Sequence, residues 1–154
     1  IITEAMSQSF SSEVDGALVN GGSMRLDDML EGEITSIDIF RVLPFGGEVL
    51  KVDMKGSLLK EVLDFGKSSR GTGAYLQRFG FSQNQQGEWL LNQMEIEAEN
   101  VYTIAISDFL LKGYDIPFLI PENEGVVQVY EPTSTEAAFD IRNAVILFLK
   151  SVEQ

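Results

Sequence analysis

The stretch Asn20-Gly21-Gly22-Ser23-Met24-Arg25 collects residue types that binding a small anionic ligand requires. Arg25 offers a planar, permanently charged fork that matches phosphate or carboxylate. Asn20 can donate and accept at once, as a heterocycle or a sugar hydroxyl requires. The two glycines permit a backbone with φ > 0 and leave room for another molecule beside the main chain, at Gly22 in particular. Ser23 adds a hydroxyl next to N–H groups that can cradle an anion. The same residues also fit a plain strand end followed by a glycine turn, and the hexapeptide alone does not choose between the two.

Composition narrows what such a site could serve. The chain has 154 residues, enough for one domain with a sizeable core. Hydrophobic residues make up 44% and charged residues 23%, an ordinary globular balance. No apolar stretch reaches the roughly 20 residues of a membrane span. The start lacks the basic region of a signal peptide, and Glu4 interrupts its apolar residues. Cys and His are both absent. Without imidazole, a self-contained zinc hydrolase or a Ser-His-Asp enzyme is disfavoured. Without Cys there are no disulfides or thiolate metal sites, though the compartment stays open. The net charge is −13, from 11 basic and 24 acidic residues, and no basic stripe offsets it. Nucleic acid is therefore not an expected partner, and an anionic ligand must be held by a few well-placed cations.

The elements that must position these residues follow from periodicity. Ile2, Ala5, Met6, Ser9 and Phe10 have helical spacing. Because the chain opens at Ile1 inside that pattern, we expect a piece of a longer protein, cut within its first helix. Gly16 to Val19 reads as a buried strand, and Thr35 to Asp38 as a capped start of a short helix that stops before Pro44. Phe45-Gly46-Gly47 is a second aromatic and glycine turn, followed by a strand through Leu50, Val52 and Met54. A helix opens at Gly56 with Leu58, Leu59, Val62, Leu63 and Phe65 as its apolar face, and Lys67 to Gly73 reads as a polar loop. Strands are expected at Tyr75–Gln77, Phe79–Phe81, Trp89–Leu91, Met94–Ala98, Val101–Ser107 and Val126–Glu131, the run from Val101 being central. Asn84 to Gly87 should turn a hairpin. A capping box at Thr133–Glu136 should open a long final helix through Ala137, Ala138, Ile141, Ala144, Val145 and Phe148. No repeat or linker divides the chain, so residues 1–154 read as one mixed α/β domain.

In this order the landmarks resemble a known family. Asn20-Gly-Gly-Ser-Met-Arg25, Gly32-Glu-Ile-Thr35, Val42-Leu-Pro-Phe45-Gly46, Met54-Lys-Gly56, Gly73-Ala-Tyr-Leu-Gln77, Val101-Tyr102 and Asp108-Phe109 are similar to the C-terminal domain of 5′-nucleotidases. UDP-sugar hydrolases and 2′,3′-cyclic-nucleotide phosphodiesterases belong to the same family. The resemblance implies a four-layer α/β/β/α domain that follows an N-terminal metallophosphoesterase domain. That further domain would hold divalent metal ions and perform hydrolysis, while this chain would need no cofactor of its own and would be inactive alone. It also implies export to the periplasm, the cell surface or the medium.

The resemblance assigns roles residue by residue. Phe45 and Phe109 match the aromatics that sandwich a nucleobase, and Phe45, between Pro44 and two glycines, sits poorly for core packing. Arg25 matches a phosphate- or ribose-contacting arginine, Asn20 a polar contact to the base, and Gly22 a backbone contact. Asp115 matches an aspartate that accepts from ribose hydroxyls. Its surroundings depart from the usual Gly-Gly-Asp-Gly-Phe, reading Gly113-Tyr114-Asp115-Ile116-Pro117-Phe118, which predicts added bulk beside the pocket. Gln77 and Trp89 read as structural, and Arg70 and Arg78 as solvated. Asp27, Asp28, Glu31 and Glu33 form an acidic patch without metal-ligand spacing. The expected function is nucleotide or nucleoside recognition for a metal-dependent phosphohydrolase. The alternatives are the same fold with a different ligand, such as a sugar nucleotide or a non-nucleoside, or a non-catalytic surface or dimerisation module.

Overall fold

Alternation along the strands decides the architecture. In Ala17-Leu18-Val19 and Ile104-Ala105-Ile106 every side chain is buried, so both sheet faces must be covered. Ala17, Val19, Val49 and Ala105 point to one core, and Leu18, Leu50, Val52, Met54, Ile104 and Ile106 to another. A computed structural model describes residues 1–25 and 29–152, so Asp27 and Asp28 of the acidic patch lie outside the described residues.

The strands are β1 (Gly16–Asn20), β2 (Val49–Lys55), β3 (Leu76–Phe79), β4 (Phe81–Gln83), β5 (Trp89–Leu91), β6 (Met94–Glu95), β7 (Val101–Ser107) and β8 (Val126–Tyr130). Five of them form a sheet in the order β3-β1-β7-β2-β8, with β7 central as the sequence predicts. β1 runs parallel to β7, whereas β2 is antiparallel to it, with Val49 opposite Ser107. One end of the sheet thus gathers the ends of β1 and β7 and the start of β2. Helices α1 (Ile2–Ser7), α2 (Ser36–Val42) and α4 (Ile141–Val152) cover one face. Helix α3 (Gly56–Ser68) and the small sheet β4-β5-β6 cover the other, giving the expected mixed α/β/β/α arrangement.

Several expectations are corrected. Glu136 accepts from the Thr133 N–H at 2.9 Å, but the turn that follows is a 3-10 turn over Ala137–Phe139. The helix restarts at Ile141 because the Asp140 carboxylate accepts the Arg142 N–H at 2.9 Å, as an N-cap does. Ala137 and Ala138 are therefore not on α4. The strand expected over Met94–Ala98 stops at Glu95, since Ile96 turns into the core. Asn92 (φ 49°) and Gln93 (φ 69°) make the tight β5–β6 hairpin, a turn not anticipated because neither residue is glycine. Helix α3 continues through Lys67 to Ser68, where a loop was expected. Arg78 is part-buried rather than solvated, its guanidinium 5.2 Å from the Trp89 ring centroid. Trp89 packs as expected, donating to Asp64 Oδ1 at 2.7 Å. Gln77 pairs opposite Val19 in the sheet.

Leu59 is fully buried in the core between α3 and the large sheet. Leu59→Ala should lower the unfolding free energy by about 2–5 kcal/mol in a urea titration. A loss well under ~1 kcal/mol would mean that α3 does not seal this core.

Candidate functional site

The sheet end just described opens into a cavity of about 650 Å³. Carboxyl ends of parallel strands are the common place for ligands in open α/β sheets, because the connections there diverge. Its lining includes Asn20, Gly22, Arg25, Phe45, Phe109 and Asp115, so all six residues singled out from the sequence meet at one place.

Asn20 closes β1 and is 1% exposed. Its Nδ2 donates to Asp115 Oδ2 at 2.8 Å, and its Oδ1 accepts from the Ser23 hydroxyl at 2.6 Å and the Ser107 hydroxyl at 3.5 Å. These bonds take up one amide hydrogen and the carbonyl oxygen of Asn20. What Asn20 can still offer a ligand is its second amide hydrogen.

The glycine turn is also not as expected. Gly21–Ser23 form a 3-10 turn, and neither Gly21 nor Gly22 takes a positive φ. Gly22 instead lies close against another loop: its N–H donates to Gly73 O at 2.8 Å, and a Cβ there would stand 3.3 Å from Gly73 Cα, a tight contact. Arg25 is exposed and its N–H donates to Val42 O at 2.8 Å, which ties it to the end of α2. From there its guanidinium lies 5.4 Å from the Phe45 ring centroid.

Phe45 is 68% exposed on the turn after α2. The turn is held open by the conformations of Gly46 (φ 61°) and Gly47 (φ 97°). Behind it, Gly47 O accepts the Ile141 N–H at 2.9 Å, and a Cβ on Gly46 would fall 2.7 Å from Arg142 Nη2. Arg142 is fixed by Asp140 through Nε at 3.0 Å and Nη2 at 2.9 Å, and lies 4.4 Å from the Phe40 ring centroid. The start of α4 therefore supports the Phe45 turn.

Phe109 is 37% exposed in the 3-10 turn Asp108–Lys112 that follows β7. Residues at i and i+3 of such a turn share a face, which brings Lys112 to the cavity with Phe109. Lys112, Ser107 and Asp108 were missed by sequence reasoning, although the i, i+3 spacing from Phe109 pointed to Lys112. Among the described residues neither Arg25 nor Lys112 is in an ion pair. The departure at Tyr114 and Ile116 does not crowd the cavity: Ile116 is fully buried in the core, and Tyr114 is not in the lining.

The chain matches the profile of the 5′-nucleotidase C-terminal domain over residues 1–119, and it belongs to that family. It is 29% identical over 131 residues to a 5′-nucleotidase of Vibrio cholerae, covering 80% of this chain and 23% of that protein. It is 30% identical over 106 residues to the protein UshA of Yersinia enterocolitica, covering 66% of this chain and 19% of the other. A 5′-nucleotidase precursor from Thermus thermophilus has the same fold at a TM-score of 0.76 and 21% identity, covering 98% of this chain and 31% of that chain. The chain thus spans about a quarter or less of the length of the two curated relatives, 23% and 19%.

Asp140 is held below the ordinary carboxylate value, mainly by the side-chain hydrogen bonds from Arg142, against partial burial and with help from two backbone N–H groups. A folded value below the unfolded one stabilises the fold above the unfolded value, and that contribution is lost as pH falls through the folded value. Arg142→Gln should therefore raise the Asp140 midpoint in a carboxyl-detected NMR titration. An unmoved midpoint would remove Arg142 as its cause.

Proposed function

We propose that this chain is the nucleotide-recognition domain of a metal-dependent phosphohydrolase of the 5′-nucleotidase type. The observation that carries the reading is the meeting of two exposed rings, Phe45 and Phe109, with Arg25 and Asp115 around one cavity. A nucleobase stacked between the rings gains about 1–3 kcal/mol per contact in comparable single-strand binders. Asp115, held by Asn20, faces the ligand as an acceptor for ribose hydroxyls. Arg25 supplies the phosphate contact, and Lys112 provides a second cation within the same lining.

Hydrolysis would belong to a further domain carrying divalent metal ions, which activate water and stabilise charge on phosphorus. The residues here do not fit such a centre. The sequence has neither His nor Cys, and no group of three or more Asp or Glu able to hold a metal occurs among the described residues. What this chain does is bind and orient, a contribution that lowers the barrier by fixing geometry before reaction. The partners are then a nucleotide or nucleoside and a metallophosphoesterase domain, with export as the expected setting. No described helix is long and apolar enough to cross a membrane.

Calorimetry with adenosine and AMP tests the assignment. Phe45→Ala should weaken both about tenfold or more if the ring stacks on the base. Arg25→Gln should weaken AMP while leaving adenosine within about twofold, because only AMP carries the anion that a charge-assisted contact requires. Equal affinities of the parent and Phe45→Ala chains would take Phe45 out of the site.

A further inference from the structure

Tyr114 has a placement that the cavity alone does not explain. It is 75% exposed, yet its ring stacks on Phe109 with centroids 5.7 Å apart and planes at 29°. That offset arrangement lies in the attractive range for aromatic pairs. Phe109 lines the cavity while Tyr114 is not among the lining residues, so Tyr114 touches a cavity-lining ring without forming part of the wall.

The backbone brings this about. Gly113 ends the 3-10 turn in the left-handed region (φ 76°), which reverses the chain. A Cβ on Gly113 would stand 2.7 Å from Ile120 Cγ2, so the reversal is packed as well as permitted by glycine. Just beyond, Ile116 and Leu119 are fully buried and pin the chain to the core. Tyr114 is thereby folded back toward Phe109 while the adjacent Asp115 turns to Asn20.

We propose that Tyr114 is a positioning residue that braces Phe109 in the orientation facing the cavity. The inference rests on the nucleobase reading above. A part-exposed phenylalanine on a short turn loses rotamer freedom when a ligand stacks on it, and that loss weakens binding. A ring already held by Tyr114 has surrendered that freedom before the ligand arrives. The bulk in this segment, where the family pattern has glycine, then acts on the aromatic clamp without narrowing the opening.

Two variants and two readouts test it. Tyr114→Leu keeps bulk without a ring, and Tyr114→Phe keeps the ring without the hydroxyl. By calorimetry on the whole chain, Tyr114→Leu should weaken adenosine and AMP together by about two- to tenfold, the range that ordering one side chain implies. The AMP-to-adenosine affinity ratio should stay unchanged, because Arg25 is untouched, and Tyr114→Phe should restore parental affinity. In the ligand-free chain, the Phe109 χ1 rotamer populations read from three-bond NMR couplings should spread in Tyr114→Leu and be retained in Tyr114→Phe. Parental affinity in Tyr114→Leu, a changed ratio, no restoration by Phe, or unchanged Phe109 rotamer populations would each overturn the proposal. A parent chain that binds neither ligand overturns the nucleobase reading, and with it the bracing of a base-stacking ring. The ligand-free spectra then still decide whether Tyr114 fixes Phe109.

Discussion

A buried amide at the end of a strand must find partners, and Asn20 finds them on three separate segments. Left unpaired in the interior, such a group costs about 1–3 kcal/mol, so its hydrogen bonds decide where neighbouring loops can sit. The Asn20 side chain draws Ser23 of its own loop, Ser107 at the end of β7 and Asp115 beyond the next turn to one point. The cavity floor follows from that convergence. The parallel pairing of β1 with β7 makes it possible, because it puts both strand ends on the same side of the sheet.

The walls depend on a second set of constraints that reach across the sequence. Helix α4 begins where the Phe45 turn needs support, with Ile141 donating to Gly47 and Arg142 lying beneath Gly46. The break at Asp140, which shortens the final helix, is what frees that carboxylate to hold Arg142. The 3-10 turn after β7 presents Phe109 and Lys112 to the same cavity, and Gly113 reverses the chain into Asp115. In a chain of net charge −13, the cavity lining sets two cations, Arg25 and Lys112, beside two carboxylates, Asp108 and Asp115. An anion bound here would meet those carboxylates as well as the cations, so its placement would rest on a few side chains.

Much of this was legible in the sequence, for identifiable reasons. The Val101–Ser107 run is largely apolar because β7 is central, with Ile104, Ala105 and Ile106 covered on both faces. The Thr35 and Asp38 pair caps α2 as its spacing predicts, with Asp38 Oδ2 accepting the Thr35 N–H at 2.8 Å. Five of the six candidate residues came from an ordered set of landmarks and Asp115 from a segment that departs from the family pattern, and the fold carries all six to one cavity. Other features depended on contacts that local patterns do not encode. The bond from the Asn20 amide to a carboxylate 95 residues along the chain, for one, has no local signature. The Ala137–Phe139 segment has helical spacing, yet Asp140 caps a fresh start after it. Gly22 suggested a left-handed turn, and its actual constraint is the approach of Gly73, a contact invisible until the loops are placed.

The central claim is that the Asn20-anchored cavity receives a flat base between Phe45 and Phe109. A crystal structure of the chain with adenosine measures this most directly. Electron density for the base is expected between the two rings, with a ribose hydroxyl on Asp115. Density for adenosine outside the cavity, or inside it with neither ring against the base, would contradict the account.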